Sequence, residues 1–481
     1  FPFQHFSTCS RTVISPYLVF PKFSCMKKLF FLPFLFLSFI VIAQPRIISG
    51  PMLGPVELRD AKVWVEVSQE VKTAALQYNK KGELKTSKTI AYKGGLGNEF
   101  NPISFTVGGL DFNTTYQYKI WINGKATTAS GEFTTKDLWQ WRKPVPDFSF
   151  LTGSCSYFNE PVYDRPGTPY GKDSSIFDMM AKEKAAFMLW LGDAWYTREV
   201  DYYSEWGLWY RASHDRAVPA LKNFWKSMPQ FAIWDDHDYG PNDIGKNYIL
   251  KDKSKKVFDA YFCNPSSGEN GQGTYTMTTW GDADIFMTDD RWWRSADRMK
   301  DSVDGPDGLP GRKPNPEKRM LGKQQMEWLK NSLLYSTATF KIITLGSQVL
   351  NPVSPFDKWW DFPAEYDELM NFLKEYKING VVFLTGDRHH TEIIKVDRPG
   401  TYSLYDITVS PLTSGTHSFG GAEKNNPYRV LGIDEKQNYA RFSFSGKRND
   451  RKLTVNFFGV KGEPLGEWSI SEKDLKTPAN Q

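Results

Sequence analysis

The chain has 481 residues, of which 40% are hydrophobic, 15% aromatic and 24% charged. That composition is globular, excludes disorder and collagen-like repeats, and is too long for one typical domain; four cysteines are too few for a disulfide scaffold. The formal net charge of +5 owes most of its excess to Arg11, Lys22, Lys27 and Lys28, which lie in an N-terminal stretch without acidic residues, so nothing in the remainder points to a polyanionic partner such as nucleic acid.

Residues 1–25 contain no methionine and read as sequence upstream of a start at Met26. From there Lys27 and Lys28 form a positive region, Leu29 to Ile42 an apolar run, and Val41-Ile42-Ala43 a small-residue cleavage site before Gln44. This is the layout of a secretory signal peptide over residues 26–43, and its apolar run is short for a membrane span of about 20 residues. The expectation is a secreted or periplasmic protein without a membrane span in its mature chain; an uncleaved N-terminal anchor is the lesser alternative. Cys155 and Cys263 then lie where disulfides are permitted.

Residues 44–137 read as a small all-β, immunoglobulin- or fibronectin-like sandwich. Ala61–Val67 and Tyr116–Ile122 alternate with period two between Gly-, Asn- and Lys-rich turns. A linker around Asp137–Pro146 leads to a different rhythm over 138–481. Strands are expected at Phe148–Leu151, Ala186–Leu191, Phe231–Trp234, Ile285–Thr288, Lys341–Leu345 and Val381–Leu384, and helices at Ser175–Lys184, Lys323–Leu334 and Glu365–Tyr376. Three strands, near Tyr402–Val409, Tyr439–Ser445 and Leu453–Phe458, close the chain. Alternating strands and helices indicate an α/β domain.

Four of the apolar strands end in short polar clusters: Thr152-Gly153-Ser154-Cys155, Gly192-Asp193-Ala194-Trp195-Tyr196, Asp235-Asp236-His237-Asp238 and Gly386-Asp387-Arg388-His389-His390. Ligand sites in open α/β sheets collect beyond the carboxyl ends of strands. Together these ends offer oxygen donors with one thiol and one or two imidazoles, a set suited to a pair of hard or borderline metals rather than to structural zinc. A carboxylate such as Asp193 can bridge two ions about 3.5–4 Å apart. Each cluster alone has an ordinary reading: a Gly-Asp turn, a buried cysteine or a Cys155–Cys263 disulfide, a helix cap, a surface histidine pair. Four in order at strand exits are hard to reach by chance. His5, His214 and His417 have no such pattern and are left as ordinary residues.

The ordered set Cys155, Gly192-Asp193-x-x-Tyr196, Asp235-Asp236-His237-Asp238 and Gly386-Asp387-x-His389 resembles the alkaline phosphatase D (PhoD-like) family of metallophosphoesterases. Asp290-Arg291-x-x-Arg294, Leu321-Gly322-x-x-Gln325-x-x-Trp328-Leu329 and a strand ending at Gln348 extend the resemblance over nearly all of residues 45–475. It implies a four-layer α/β/β/α catalytic domain behind the sandwich. It also implies a ferric ion held by Cys155, Asp193, Tyr196 and His389, with Asp193 bridging to a second cation, calcium in this family, completed by Asp236 and Asp387. His237 would contact the phosphate or leaving group, and Arg291 would clamp the anion. Cys155 must then be a free thiolate, without a bond to Cys263. Two positions depart from the family pattern: Arg388, where a small apolar residue is common, and Asp238, where Glu often follows the histidine.

The reaction this implies is attack of a metal-activated hydroxide on a phosphate mono- or diester, with both cations neutralising phosphate charge and His237 protonating the leaving oxygen. The expected partner is thus a small-molecule phosphate ester. Trp190, Trp195, Trp206, Trp209, Trp225, Trp234, Trp292 and Trp293 fall near the motifs and read chiefly as core. A secreted carbohydrate- or surface-binding protein with a structural or degenerate metal site, or a glycoside hydrolase with paired carboxylates, would need neither a thiol nor a phenol at a strand end.

Overall fold

Alternating burial builds the first group of strands. The computed structural model describes residues 44–304 and 313–478, so the expected leader at 26–43 lies outside the described residues. Along Asn101–Gly108 every second side chain is buried, and Thr115–Ile122 repeats the pattern. Such strands cover one face of a sheet and leave the other to solvent. Ile47–Val56, Asp60–Val67 and Asn101–Gly108 form an antiparallel sheet; Lys88–Ala91, Ala74–Lys80, Thr115–Ile122 and Lys125–Thr134 form a second. Val63, Val65, Leu76, Phe105 and Ile120 fill the space between them.

The outer face of this sandwich is fastened to the remainder of the chain. Trp64 Nε1 donates to the Ala260 carbonyl at 2.8 Å, and Ser213 Oγ and Tyr261 Oη each donate to Glu66 Oε1 at 2.8 Å. Beside them the Arg216 guanidinium lies against the rings of Trp64, Trp225, Tyr261 and Phe262, at 4.3–5.9 Å from their centroids. Burial raises the Glu66 carboxyl above its usual range and lowers Arg216 to about 9.

The remainder of the chain folds as two sheets between two layers of helices. The six-stranded sheet runs Gln230–Ile233, Met188–Leu191, Phe148–Gly153, Asn438–Lys447, Asp450–Gly459, Pro464–Ser471; its first three strands are parallel. The seven-stranded sheet runs Thr276–Trp280, Ala283–Met287, Phe340–Leu345, Val381–Thr385, Leu404–Thr408, Thr391–Val396, Arg429–Ile433, with four parallel strands from Ala283 to Thr408. Phe150, Leu189, Leu191 and Phe442 of one sheet join Ile285, Ile343 and Phe383 of the other in one core, to which helices Gly322–Tyr335 and Pro363–Glu375 add Met326, Leu329, Leu369 and Leu373. Leu151, Met188, Trp190, Ala232 and Trp234 pack instead with helices Ile176–Met180, Glu205–Arg216 and Lys251–Tyr261. The layers are therefore α/β/β/α. Trp190, Trp195, Trp225, Trp234 and Trp292 are all buried, while Trp206 is exposed.

Several elements differ from the sequence reading. The helix expected over Ser175–Lys184 is limited to Ile176–Met180, and the strand expected from Ala186 begins at Met188. Helices Glu205–Arg216 and Lys251–Tyr261 were not anticipated. The first turns Arg211 and Asp215 inward as an ion pair and Arg216 inward against aromatic rings, in place of the apolar stripe that periodicity detects.

Candidate metal centre

Parallel strands point their carboxyl ends the same way, so both sheets deliver their polar termini to one edge of the domain. Cys155, Asp193, Asp387 and His389 follow strands Phe148–Gly153, Met188–Leu191 and Val381–Thr385, and all four have φ between 51° and 63°. Non-glycine residues in this left-handed region are uncommon and cluster where function sets the backbone. The reversal ends each strand abruptly and turns the side chains toward one another. Two glycines permit the approach. A Cβ on Gly192, whose φ is 91°, would collide with the Asp235 side chain, and one on Gly346 would collide with the Asp235 carboxylate.

Ligating atoms of Cys155, Asp193 and His389 lie within 4.8 Å of one another, as do those of Asp193, Asp236 and His237 and those of Asp235, Asp236 and Asp387. Asp193 belongs to the first two groups and Asp236 to the last two, so the donors form one continuous cluster. Cys155 Sγ is 3.7 Å from Asp193 Oδ2 and accepts a hydrogen bond from Ser410 Oγ at 3.1 Å. Tyr196 Oη stands 3.3 Å from His389 Nε2, and its ring lies 4.3 Å from that of His237. Among the described residues Cys155 and Cys263 are both free.

His389 is held from behind. Its Nδ1 lies 2.7 Å from the Gly415 carbonyl and 3.0 Å from both Ser414 Oγ and Tyr170 Oη. Donation from Nδ1–H to that carbonyl leaves the Nε2 lone pair facing Tyr196 and the cluster, the arrangement of a metal-ligating histidine. The ring of His417 stacks on His389 at 4.8 Å. Sequence reading passed over Tyr170, Ser410, Ser414 and His417 because only the fold brings them to the motif.

Electrostatics mark the cluster as short of positive charge. Burial, followed by the charge of Asp236, raises Asp193 well above the carboxylate range. Burial and Asp236 push Asp387 up to about 7, and burial and Asp387 push Cys155 up to about 11. Tyr196 is raised by burial and by Asp193. Asp236 moves the other way, to about 2: burial opposes its charge, but His237 and Arg291 outweigh it. Burial lowers His237 and His389 below the usual imidazole value. Buried polar atoms are normally paired, yet Asp236 Oδ1, His237 Nδ1 and Asp235 Oδ2 have no hydrogen-bond partner among the described residues. Orphaned donors, crowded carboxylates and a thiol fit one or more bound cations.

The cluster opens into a cleft of about 600 Å³ lined by Asp236, His237, Asp387, Arg388, His389 and His417. Arg291 does not line it. Its side chain is fully buried, its Nε donates to Asp235 Oδ1 at 2.6 Å, and its Nη1 to Asp357 Oδ2 at 3.2 Å. The expected anion clamp is thus spent on Asp235 of the cluster and Asp357 of the cleft wall, an engagement that remote partners create and local sequence cannot show.

The profile of the PhoD-like phosphatase family matches residues 150–459, more than half of the chain. The chain belongs to the PhoD-like phosphatase family. A profile described as a domain of unknown function, DUF7800, matches residues 44–137. Alkaline phosphatase D of Bacillus subtilis (strain 168) is 28% identical over 361 residues, covering 66% of this chain and 58% of that protein, so the chain spans less than two thirds of that relative's length. The solved structure of PhoD matches with a TM-score of 0.66 at 19% identity, over 86% of this chain and 91% of that one. Purple acid phosphatase PPD1 from yellow lupin (Lupinus luteus) seeds matches at 0.62 and 11% identity, over 90% and 77%. These structures share the fold of this PhoD-like chain.

Proposed function

We propose that the protein is an exported, metal-dependent phosphoric ester hydrolase acting on phosphate monoesters, diesters or both. The observation that carries this is the convergence of Cys155, Asp193, Tyr196 and His389 with Asp236 and Asp387 beside one cleft, which Asp236, Asp387 and His389 line. Family membership and the relative named alkaline phosphatase D support it. Export rests on the Lys27-Lys28 and Leu29–Ile42 pattern; among the described residues no helix is long and apolar enough to cross a membrane.

In this reading Cys155, Asp193, Tyr196 and His389 hold a ferric ion, and Asp193 with Asp236 and Asp387 holds a second cation, calcium by family resemblance. Two cations there supply Lewis acidity, acidifying a water and neutralising phosphate oxygens. The thiolate, phenolate and carboxylates fix the site and offset its charge. His237, which lines the cleft with Nδ1 unpartnered among the described residues, positions the ester and, as its imidazolium, supplies a proton to the departing oxygen. Arg291 acts through Asp235 and Asp357, holding the acidic wall in place.

The test is elemental analysis and a visible spectrum of the purified protein, with p-nitrophenyl phosphate and bis-p-nitrophenyl phosphate hydrolysis on the same sample. Iron with a second metal, a phenolate-to-iron band that Tyr196→Phe removes, and hydrolysis lost on chelation are expected. Absence of metal, colour and hydrolysis after reconstitution with iron and calcium would overturn the reading.

A further inference from the structure

We propose that His417 is a further substrate-binding residue, donating a hydrogen bond from its imidazole N–H to an oxygen of the phosphoryl group. The inference rests on the phosphoesterase reading above. His417 lines the cleft beside Asp387 and His389, and its ring stacks on that of His389 with centroids 4.8 Å apart and planes 18° from parallel. Its backbone is fixed there: its N–H donates to the His389 carbonyl at 2.8 Å, and its own carbonyl accepts from the Glu435 N–H at 3.4 Å. The loop that carries it also sends Ser410 Oγ to Cys155 and the Gly415 carbonyl to His389. His417 is thus held against the donor cluster. It is nevertheless exposed, and neither ring nitrogen has a hydrogen-bond partner among the described residues.

The rest of the cleft has few donors to spare. Arg294, Lys318, Lys358 and Arg388 line it, but each is buried and paired with a carboxylate, of Asp357, Asp301, Asp361 and Glu423 respectively, at 2.5–2.8 Å. Tyr170 Oη lies 3.0 Å from His389 Nδ1, and Asn242 Nδ2 donates to Asp243 Oδ2 at 2.5 Å. A neutral imidazole keeps one N–H, and given to an anionic oxygen it makes a stronger bond than one between neutral groups. A phosphoryl group seated beside His389 therefore meets in His417 a donor that no protein carboxylate claims, within the ordinary reach of an N–H···O bond.

The experiment measures inhibition of p-nitrophenyl phosphate hydrolysis by inorganic phosphate in metal-loaded wild type, His417→Phe and His417→Gln, with the metal content and visible spectrum of each. His417→Phe keeps a ring to stack on His389 and removes the N–H, whereas His417→Gln gives up the ring and keeps a donor. Because the residue is exposed, neither change empties the core. The phosphate inhibition constant is expected to rise about tenfold or more in His417→Phe, as loss of a hydrogen bond to a charged group requires, and kcat/KM to fall by a similar factor. His417→Gln should lie between that variant and wild type, with metal content and spectrum unchanged in both. An inhibition constant within about twofold of wild type in His417→Phe, or a rise that comes with lost metal or an altered spectrum, would overturn the binding role while leaving the phosphoesterase reading standing. Absence of hydrolysis by the loaded wild type would overturn that reading itself.

Discussion

Asp238 holds the turn that carries Asp193. Its carboxylate accepts hydrogen bonds from the backbone N–H groups of Asp193 at 2.5 Å, Ala194 at 2.8 Å, Trp195 at 3.2 Å and Asp235 at 3.0 Å. One side chain thereby ties the exits of Met188–Leu191 and Gln230–Ile233 together. Asp238→Ala would leave these buried donors without an acceptor, at about 1–3 kcal/mol for each that water cannot reach. We expect a loss of about 3 kcal/mol or more in urea unfolding and a weaker hold on metal. Asp238→Asn, which keeps an oxygen, should lose less than half as much.

Asp193 is the shared member of the donor cluster, and its ionised form is opposed by burial and by Asp236, Cys155, Asp238 and Asp387. Asp193→Asn should reduce p-nitrophenyl phosphate turnover on the order of 10³-fold or more. The same change relieves like-charge crowding. Calorimetry in chelator should therefore find the variant as stable as the wild type, or more so, and only the wild type should gain stability when metal is restored.

Tyr261 ties the sandwich to the rest of the chain through its hydroxyl on Glu66 Oε1, shared with Ser213. Tyr261→Phe keeps the ring beside Trp64, 5.6 Å away, and removes one hydrogen bond to a buried carboxyl. The expected cost is about 1–2 kcal/mol in equilibrium unfolding, with ester hydrolysis little affected because this contact belongs to the face between the sandwich and the rest of the chain.

Glu392 gives a pH-dependent stability. Burial alone would raise its carboxyl, but His390, Gln348 and Arg429 lower it to about 2 from an ordinary 4.5. Arg429 Nε donates to Oε2 at 2.7 Å and Gln348 Nε2 to Oε1 at 2.8 Å. A depressed carboxyl contributes its full stability above the unfolded value and loses it as pH falls toward the folded one. Wild type should shed on the order of 3 kcal/mol between about pH 5 and 2 through this group. Glu392→Gln, less stable at neutral pH, should show a shallower fall over that window in denaturant titrations.

The residues of the candidate metal cluster were legible because each is a local signal, an apolar strand followed by a short polar cluster, repeated in order. Their surroundings were not. Arg291 reads as a free cation until Asp235 and Asp357 arrive from elsewhere. Asp238 stood inside a recognised motif, yet its grip on three residues of another loop is a product of the fold. Helix Glu205–Arg216 escaped because Arg211 and Asp215 face inward and satisfy each other at 3.2 Å, which a hydrophobic period cannot register. Strand Thr391–Val396 escaped because it begins immediately after His390 and pairs on both sides with strands later in the sequence.

The central strand Phe148–Gly153 pairs on one side with Met188–Leu191, its near neighbour in the chain, and on the other with Asn438–Lys447. A polypeptide emerging from the ribosome completes the sandwich early, yet must carry that second edge uncovered until almost the whole catalytic half has been made. Phe148 and Phe150, which finally stack on Phe444 and Phe442 at 4.7 and 5.0 Å, wait through that interval as an apolar ribbon open to the wrong partner. Production of this protein is therefore most exposed to aggregation during synthesis, and slower translation or chaperone capture of this one strand is where its yield would be decided.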